Sequence, residues 1–178
     1  MSRLKTIENR CMTERQRQIH DEIVSGPRGQ VRGPLAIWLY RPELADRAQR
    51  LGQYCRYNTS LEPRLSELAI LATARLWDAA FEWQTHVPYA LAGGVDNSII
   101  DSLGADQTPN FTSEDEKIVY RVTREITITR QLSDDTYNKV VKILGVEATV
   151  DLIGLLGYYA LISMTIKAFE IPSIECES

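Results

Sequence analysis

Pro63-Arg-Leu-Ser-Glu-Leu-Ala-Ile-Leu-Ala-Thr-Ala-Arg-Leu76 opens on a proline and repeats apolar residues at 65, 68, 71, 72 and 76. Proline suits a first helical position, where an N–H would have no intrahelical partner. The apolar spacing follows the helical period of about 3.6 residues and predicts a helix with those side chains inward. The next stretch, Ala79-Ala-Phe-Glu-Trp-Gln-Thr-His-Val-Pro-Tyr-Ala-Leu-Ala92, predicts a second helix, capped by Asp78 and closed by Gly93-Gly94. Pro88 donates no hydrogen bond and crowds the carbonyl of Gln84, which predicts a kink beside His86.

The same reading extends outward in both directions. Thr13-Glu-Arg-Gln16 is a capping box opening a helix to about Val24. A glycine- and proline-rich loop, Ser25 to Pro34, separates it from a short helix, Leu35 to Tyr40. Pro42 starts a helix to about Cys55, with Leu44, Ala48 and Leu51 on its inward face. Beyond residue 95, Asp96 to Leu103 reads as a short helix. Ser113-Glu-Asp-Glu116 reads as a capping box for a helix to about Arg130. Glu125-Ile-Thr-Ile-Thr-Arg130 alternates like a strand but continues a capped helix, so it is kept helical. Ser133 caps a helix to Leu144, and Gly145 divides it from a last one, about Glu147 to Phe169. That last helix is apolar nearly all round, which predicts burial in a core or against another subunit. The expected fold is an all-α bundle of seven to eight helices. It forms one domain over residues 1–178, with 1–25 as an N-terminal helical arm.

Composition narrows the chemistry. The 178 residues carry a net charge of −4, against the basic excess of a dedicated nucleic-acid binder. Residues 1–64 hold 12 basic and 7 acidic groups, and residues 65–178 hold 8 and 17. The basic segment either packs against an acidic body or collects an anionic small substrate. Three scattered cysteines, Cys11, Cys55 and Cys176, predict free thiols, neither staples nor a thiolate zinc site. The start has no apolar core of a signal peptide, and Leu152 to Ile166 is too short for a bilayer span. A cytoplasmic chain without membrane attachment is expected.

Only two histidines are present. His20 lies on a polar helix and reads as solvated. His86 shares a helix face with Glu82, four residues earlier. Glu67 interrupts the apolar stripe of the preceding helix, where a carboxylate must be paired or protonated. Such a pair suits general acid–base work near neutral pH. A buried structural network, or an Arg64–Glu67 ion pair at i, i+3, explains the same residues without catalysis. A metal site is not expected, because neither His-Glu-x-x-His nor a second Glu-x-x-His occurs.

Glu67-Leu-Ala-Ile-Leu71, Phe81-Glu-Trp-Gln-Thr-His86 and Ala90-Leu-Ala-Gly-Gly-Val95 resemble the carboxymuconolactone decarboxylase family, which also contains alkyl hydroperoxidase D. Gly26-Pro-Arg-Gly29, Arg41-Pro-Glu-Leu44 and Gly154-Leu-Leu-Gly-Tyr-Tyr159 extend the likeness over about residues 20–172. The resemblance implies an all-helical homo-oligomer, a trimer or hexamer. The peroxidase branch uses a Cys-x-x-Cys pair, whose positions fall here on Ala79 and Glu82. The likeness therefore implies the cysteine-less branch: a cofactor-free decarboxylase of a small carboxylated lactone, not a thiol peroxidase. On that reading His86 donates the proton or holds the enolate, and Glu67 orients it. Glu82 shares either task. Arg28 binds the substrate carboxylate with Arg64 second, and Trp83 walls the pocket. A cofactor-free isomerase or other lyase on a different small acid, and a non-catalytic helical oligomer, remain the alternatives.

Overall fold

The computed structural model describes residues 2–174, which form eight α-helices and a single 3-10 turn, with no strand among them. The helices are α1 (Glu14–Ser25), α2 (Pro34–Trp38), α3 (Pro42–Tyr57), α4 (Pro63–Leu76), α5 (Ala80–Gly93), α6 (Asn97–Gly104), α7 (Glu114–Thr129) and α8 (Asp134–Phe169). The all-α expectation holds, including the helical state of residues 125–129 within α7.

The middle of the bundle is α4. Every residue from Leu65 to Ala74 is buried, and α5, α7 and α8 all pack against this helix. The last helix, expected to be buried in a core or against another subunit, is buried within the chain on one side only. α8 buries Leu152, Leu155, Leu156, Tyr158, Tyr159, Ile162 and Ile166, yet leaves Val146, Val150, Ile153 and Met164 exposed. Its inner face meets α2, α3, α4 and α7. Gly145 breaks it as expected, at φ 85° and ψ 170°.

The inward face of α3 also differs from expectation. Ala45, Ala48, Gly52 and Cys55 point into the core, while Leu44 and Leu51 stay exposed. Small residues win there because Tyr158 and Arg28 lie directly against Gly52.

Two expected caps fail for electrostatic reasons. Asp78 does not cap α5; it adopts φ 49° and pairs with Lys167 Nζ at 2.9 Å. Ser113 does not close a capping box; its hydroxyl donates to Asp115, and Glu116 turns to Arg64. The Thr13–Gln16 box forms, and Ser133 Oγ accepts from Thr136 N. Pro88 is carried inside α5, which runs unbroken from Ala80 to Gly93.

Arg10, Arg15, Arg47 and Arg50 pair within the basic segment, as Arg15 does with Glu43 and Asp46 and Arg50 does with Asp46. Arg3 and Arg64 cross to the acidic body. Cys11 is exposed and Cys55 buried, both as free thiols; Cys176 lies outside the described residues. No helix of the described residues is long and apolar enough to cross a membrane.

Candidate functional site

Helix α4 holds Glu67 and α5 holds Glu82 and His86, so the packing of these two helices sets the site. Their side chains are almost fully enclosed, with His86 only 2% exposed. Glu67 Oε2 lies 2.6 Å from His86 Nδ1, and Glu82 Oε1 lies 2.9 Å from His86 Nε2. The hydroxyl of Tyr159, on α8, stands 3.4 Å from the same Nε2.

Both ring nitrogens thus face carboxylate oxygens, an arrangement satisfied by an imidazolium donating at each end. Burial alone would lower the basicity of His86. The hydrogen bonds to Glu67 and then Glu82 outweigh it and hold the ring above its ordinary value. Burial pushes the Tyr159 phenol far up, so its hydroxyl stays protonated.

Three arginines gather around this group. Arg28, on the loop between α1 and α2, donates from Nη2 to Tyr158 Oη at 3.3 Å, and no hydrogen-bond partner meets its buried Nε. Arg32 stacks over Phe81. Arg56, at the end of α3, reaches Glu67 only at 4.0 Å and lies over the ring of Tyr89. Arg28, Arg32, Arg56, Glu82, His86 and Tyr89 line one small cavity. A buried guanidinium N–H without a partner is costly, and an acid oxygen would satisfy it.

Of the residues singled out in the sequence, Glu67, Glu82, His86 and Arg28 are brought together. Arg64 and Trp83 are not. Arg64 pairs with Asp115 at 2.6 Å and Glu116 at 2.8 Å, joining α4 to α7, and it does not pair with Glu67. The hydrogen bonds from Arg64, together with those from Ser113 and the Glu116 backbone, hold the Asp115 carboxyl at about 2. Trp83 lines a different cavity, with Arg75 and Gly104.

Sequence reasoning missed Arg32, Arg56, Tyr89, Tyr158 and Tyr159. Arg32 shares the loop of Arg28, a signal that was available. Tyr89 follows His86 by three residues on α5, a spacing that was also available. Arg56, Tyr158 and Tyr159 lie on helices whose placement against α5 no spacing reveals. A separate cleft of about 510 Å³ runs along α7 past Phe111, Tyr120 and Arg124. It shares no residue with the Glu67–His86–Glu82 group.

The model of the carboxymuconolactone decarboxylase family matches residues 42–114, from the start of α3 to the first turn of α7, and so spans Glu67, Glu82 and His86. No curated protein matches the chain significantly. Among solved structures, an Agrobacterium tumefaciens protein of unknown function, linked by name to AhpD and antioxidant defence, superposes with a TM-score of 0.69 at 17% identity, covering 80% of this chain and 98% of that one. An uncharacterized peroxidase-related protein with an alkylhydroperoxidase AhpD core, from Ralstonia eutropha, gives 0.68 at 10% identity, covering 97% and 92%. At such identities these likenesses speak to the fold. The family match across residues 42–114 makes the stretch that carries the site similar to the carboxymuconolactone decarboxylase family, and the fold is that of the AhpD-like structures.

Proposed function

We propose that this protein is a cofactor-free carboxy-lyase acting on a small carboxylated lactone such as a carboxymuconolactone. The observation that carries the reading is Arg28, which lines the cavity with Glu82 and His86 and whose buried Nε has no partner. An acid group seated there completes the hydrogen bonding of Arg28 and lies beside a buried proton source.

In this reading the substrate acid is held by Arg28, with Arg32 and Arg56 adding positive charge. The bond to the carboxylate carbon breaks, carbon dioxide departs, and the electron pair delocalises onto the conjugated lactone oxygen. A proton then goes to carbon. Both nitrogens of His86 are already engaged, so the proton passes from Nε2 to Glu82 and from Glu82 to the substrate. Glu67 keeps the ring oriented and stabilises its charge. Solvent restores the one proton consumed. Such positioned proton transfer contributes about 10²–10⁴-fold, and the arginines stabilise the developing negative charge.

The absence of thiols at Ala79 and Glu82 supports a reading apart from the peroxidase-related names of the solved relatives. Cys55 is buried, and burial raises its thiol, the reverse of what a peroxidatic nucleophile requires. A homo-oligomer, trimer or hexamer, belongs to the same reading. The apolar side chains that α8 leaves exposed support it.

Arg28→Gln tests the anchoring role. Losing one charged hydrogen bond of about 2–3 kcal/mol raises KM for the lactone acid about 30- to 100-fold. An unchanged KM contradicts the reading.

A further inference from the structure

The cavity beside Arg28 has a volume of about 60 Å³. A cavity of about 150 Å³ is one that takes up a benzene ring. The cavity therefore has room for one carboxylate and not for a lactone ring. A groove of about 520 Å³, ample for a small ligand, lies alongside it and is lined by Thr59, Leu61, Ser66 and Glu67.

Two side chains line both spaces, Arg56 and Tyr89. The Arg56 guanidinium lies 4.3 Å from the centre of the Tyr89 ring. That ring stands 5.8 Å from the ring of His86, tilted by 51°. Glu67 opens onto the groove, Glu82 and His86 onto the cavity, and the stacked pair stands between. Tyr89 is the looser member at 47% exposed, whereas the Arg56 side chain is 10% exposed and also lies over the Tyr57 ring.

We propose that Arg56 and Tyr89 form a movable partition between two compartments of one site. The acid group seats against Arg28 in the small cavity. The remainder of the molecule occupies the groove once the partition turns aside, so Tyr89 determines the size of acid admitted. The inference rests on the reading of the small cavity as acid-binding, and its test needs no turnover.

The probes are acetate, which fits the cavity, and furoate, whose five-membered ring does not. Side-chain NMR spectra of the full chain report on each compartment, the Arg28 Nε–H on the cavity and the methyl groups of Leu61 on the groove. Acetate moves the Arg28 signal and leaves the Leu61 signals unchanged. Furoate moves both. In Tyr89→Ala, furoate gains about tenfold in affinity relative to acetate, because the fraction of molecules ready to receive it no longer limits its binding. Tyr89→Phe keeps the ring and with it the discrimination between the two acids.

If furoate moves Arg28 without Leu61, or gains nothing over acetate in Tyr89→Ala, the partition is overturned and the acid-binding reading stands. If neither acid moves Arg28, the acid-binding reading fails and the partition with it. Absence of decarboxylation leaves the binding result intact.

Discussion

His86 Nδ1 lies 2.6 Å from Glu67 Oε2, with neither side chain more than a tenth exposed. A short contact of this kind in an enclosed site marks a charge-assisted hydrogen bond. With Glu82 at the other nitrogen, one imidazolium charge is shared by two carboxylates, leaving a net negative group. Arg28, Arg32 and Arg56 surround it and give the whole site a positive excess.

The basicity of His86 sets a pH dependence. Its folded-state value lies above the ordinary 6.5, burial opposing and the Glu67 and Glu82 contacts prevailing. The stabilisation this brings is complete below about pH 6.5 and is lost as pH rises through the raised value. Thermal unfolding of the protein shows a melting temperature that falls as pH rises through the raised value, and Glu67→Gln weakens the trend. An NMR titration finding His86 less basic than an ordinary histidine contradicts this.

Gly52 predicts a reversal of the usual glycine rule. Within a helix, Gly→Ala ordinarily stabilises by about 0.5–1 kcal/mol. Here a Cβ runs into the Tyr158 hydroxyl and the Arg28 guanidinium. Gly52→Ala is expected to destabilise by about 1–3 kcal/mol in denaturant melts, and to weaken acid binding by displacing Arg28. A stabilised variant with unchanged binding refutes the placement.

Arg64 is expected to matter for stability and not for substrate. Arg64→Ala removes its pairs with Asp115 and Glu116. The cost is about 1–2 kcal/mol, between an exposed pair and a buried charged hydrogen bond. The Asp115 carboxyl, held at about 2, contributes above its ordinary value of 3.8 and ceases to contribute as pH falls through 2. The stability difference between the protein and Arg64→Ala therefore shrinks in acid. A raised KM with unchanged stability reverses the assignment.

Thiol chemistry is expected to be dispensable. A variant with Cys11, Cys55 and Cys176 all replaced by alanine retains full turnover and, like its parent, shows no thiol-dependent peroxide reduction. Loss of turnover on replacing Cys55 alone, measured at unchanged thermal stability, points back to a peroxidatic role.

The fold was largely legible because its signals are local. Pro42 and Pro63 start helices where they stand, Thr13 and Ser133 cap theirs, and Gly145 breaks the last helix. What failed depended on distant partners. Asp78 was drawn to Lys167 and Glu116 to Arg64, charges that no capping pattern takes into account. The Glu67, Glu82 and His86 group was readable because a carboxylate on an apolar stripe, and an i, i+4 pair, advertise themselves. Arg56 and Tyr159 were not, since only the packing of α3 and α8 against α5 brings them to His86.

The most direct measurement follows the conjugated chromophore of a carboxylated muconolactone in the presence of the protein and of its His86→Ala variant, with oligomeric state checked for both. The account predicts carbon dioxide release by the unmodified protein and a loss of at least about 100-fold in the variant, with the assembly intact. Full activity in His86→Ala, or no turnover of any carboxylated lactone by the unmodified protein, contradicts it.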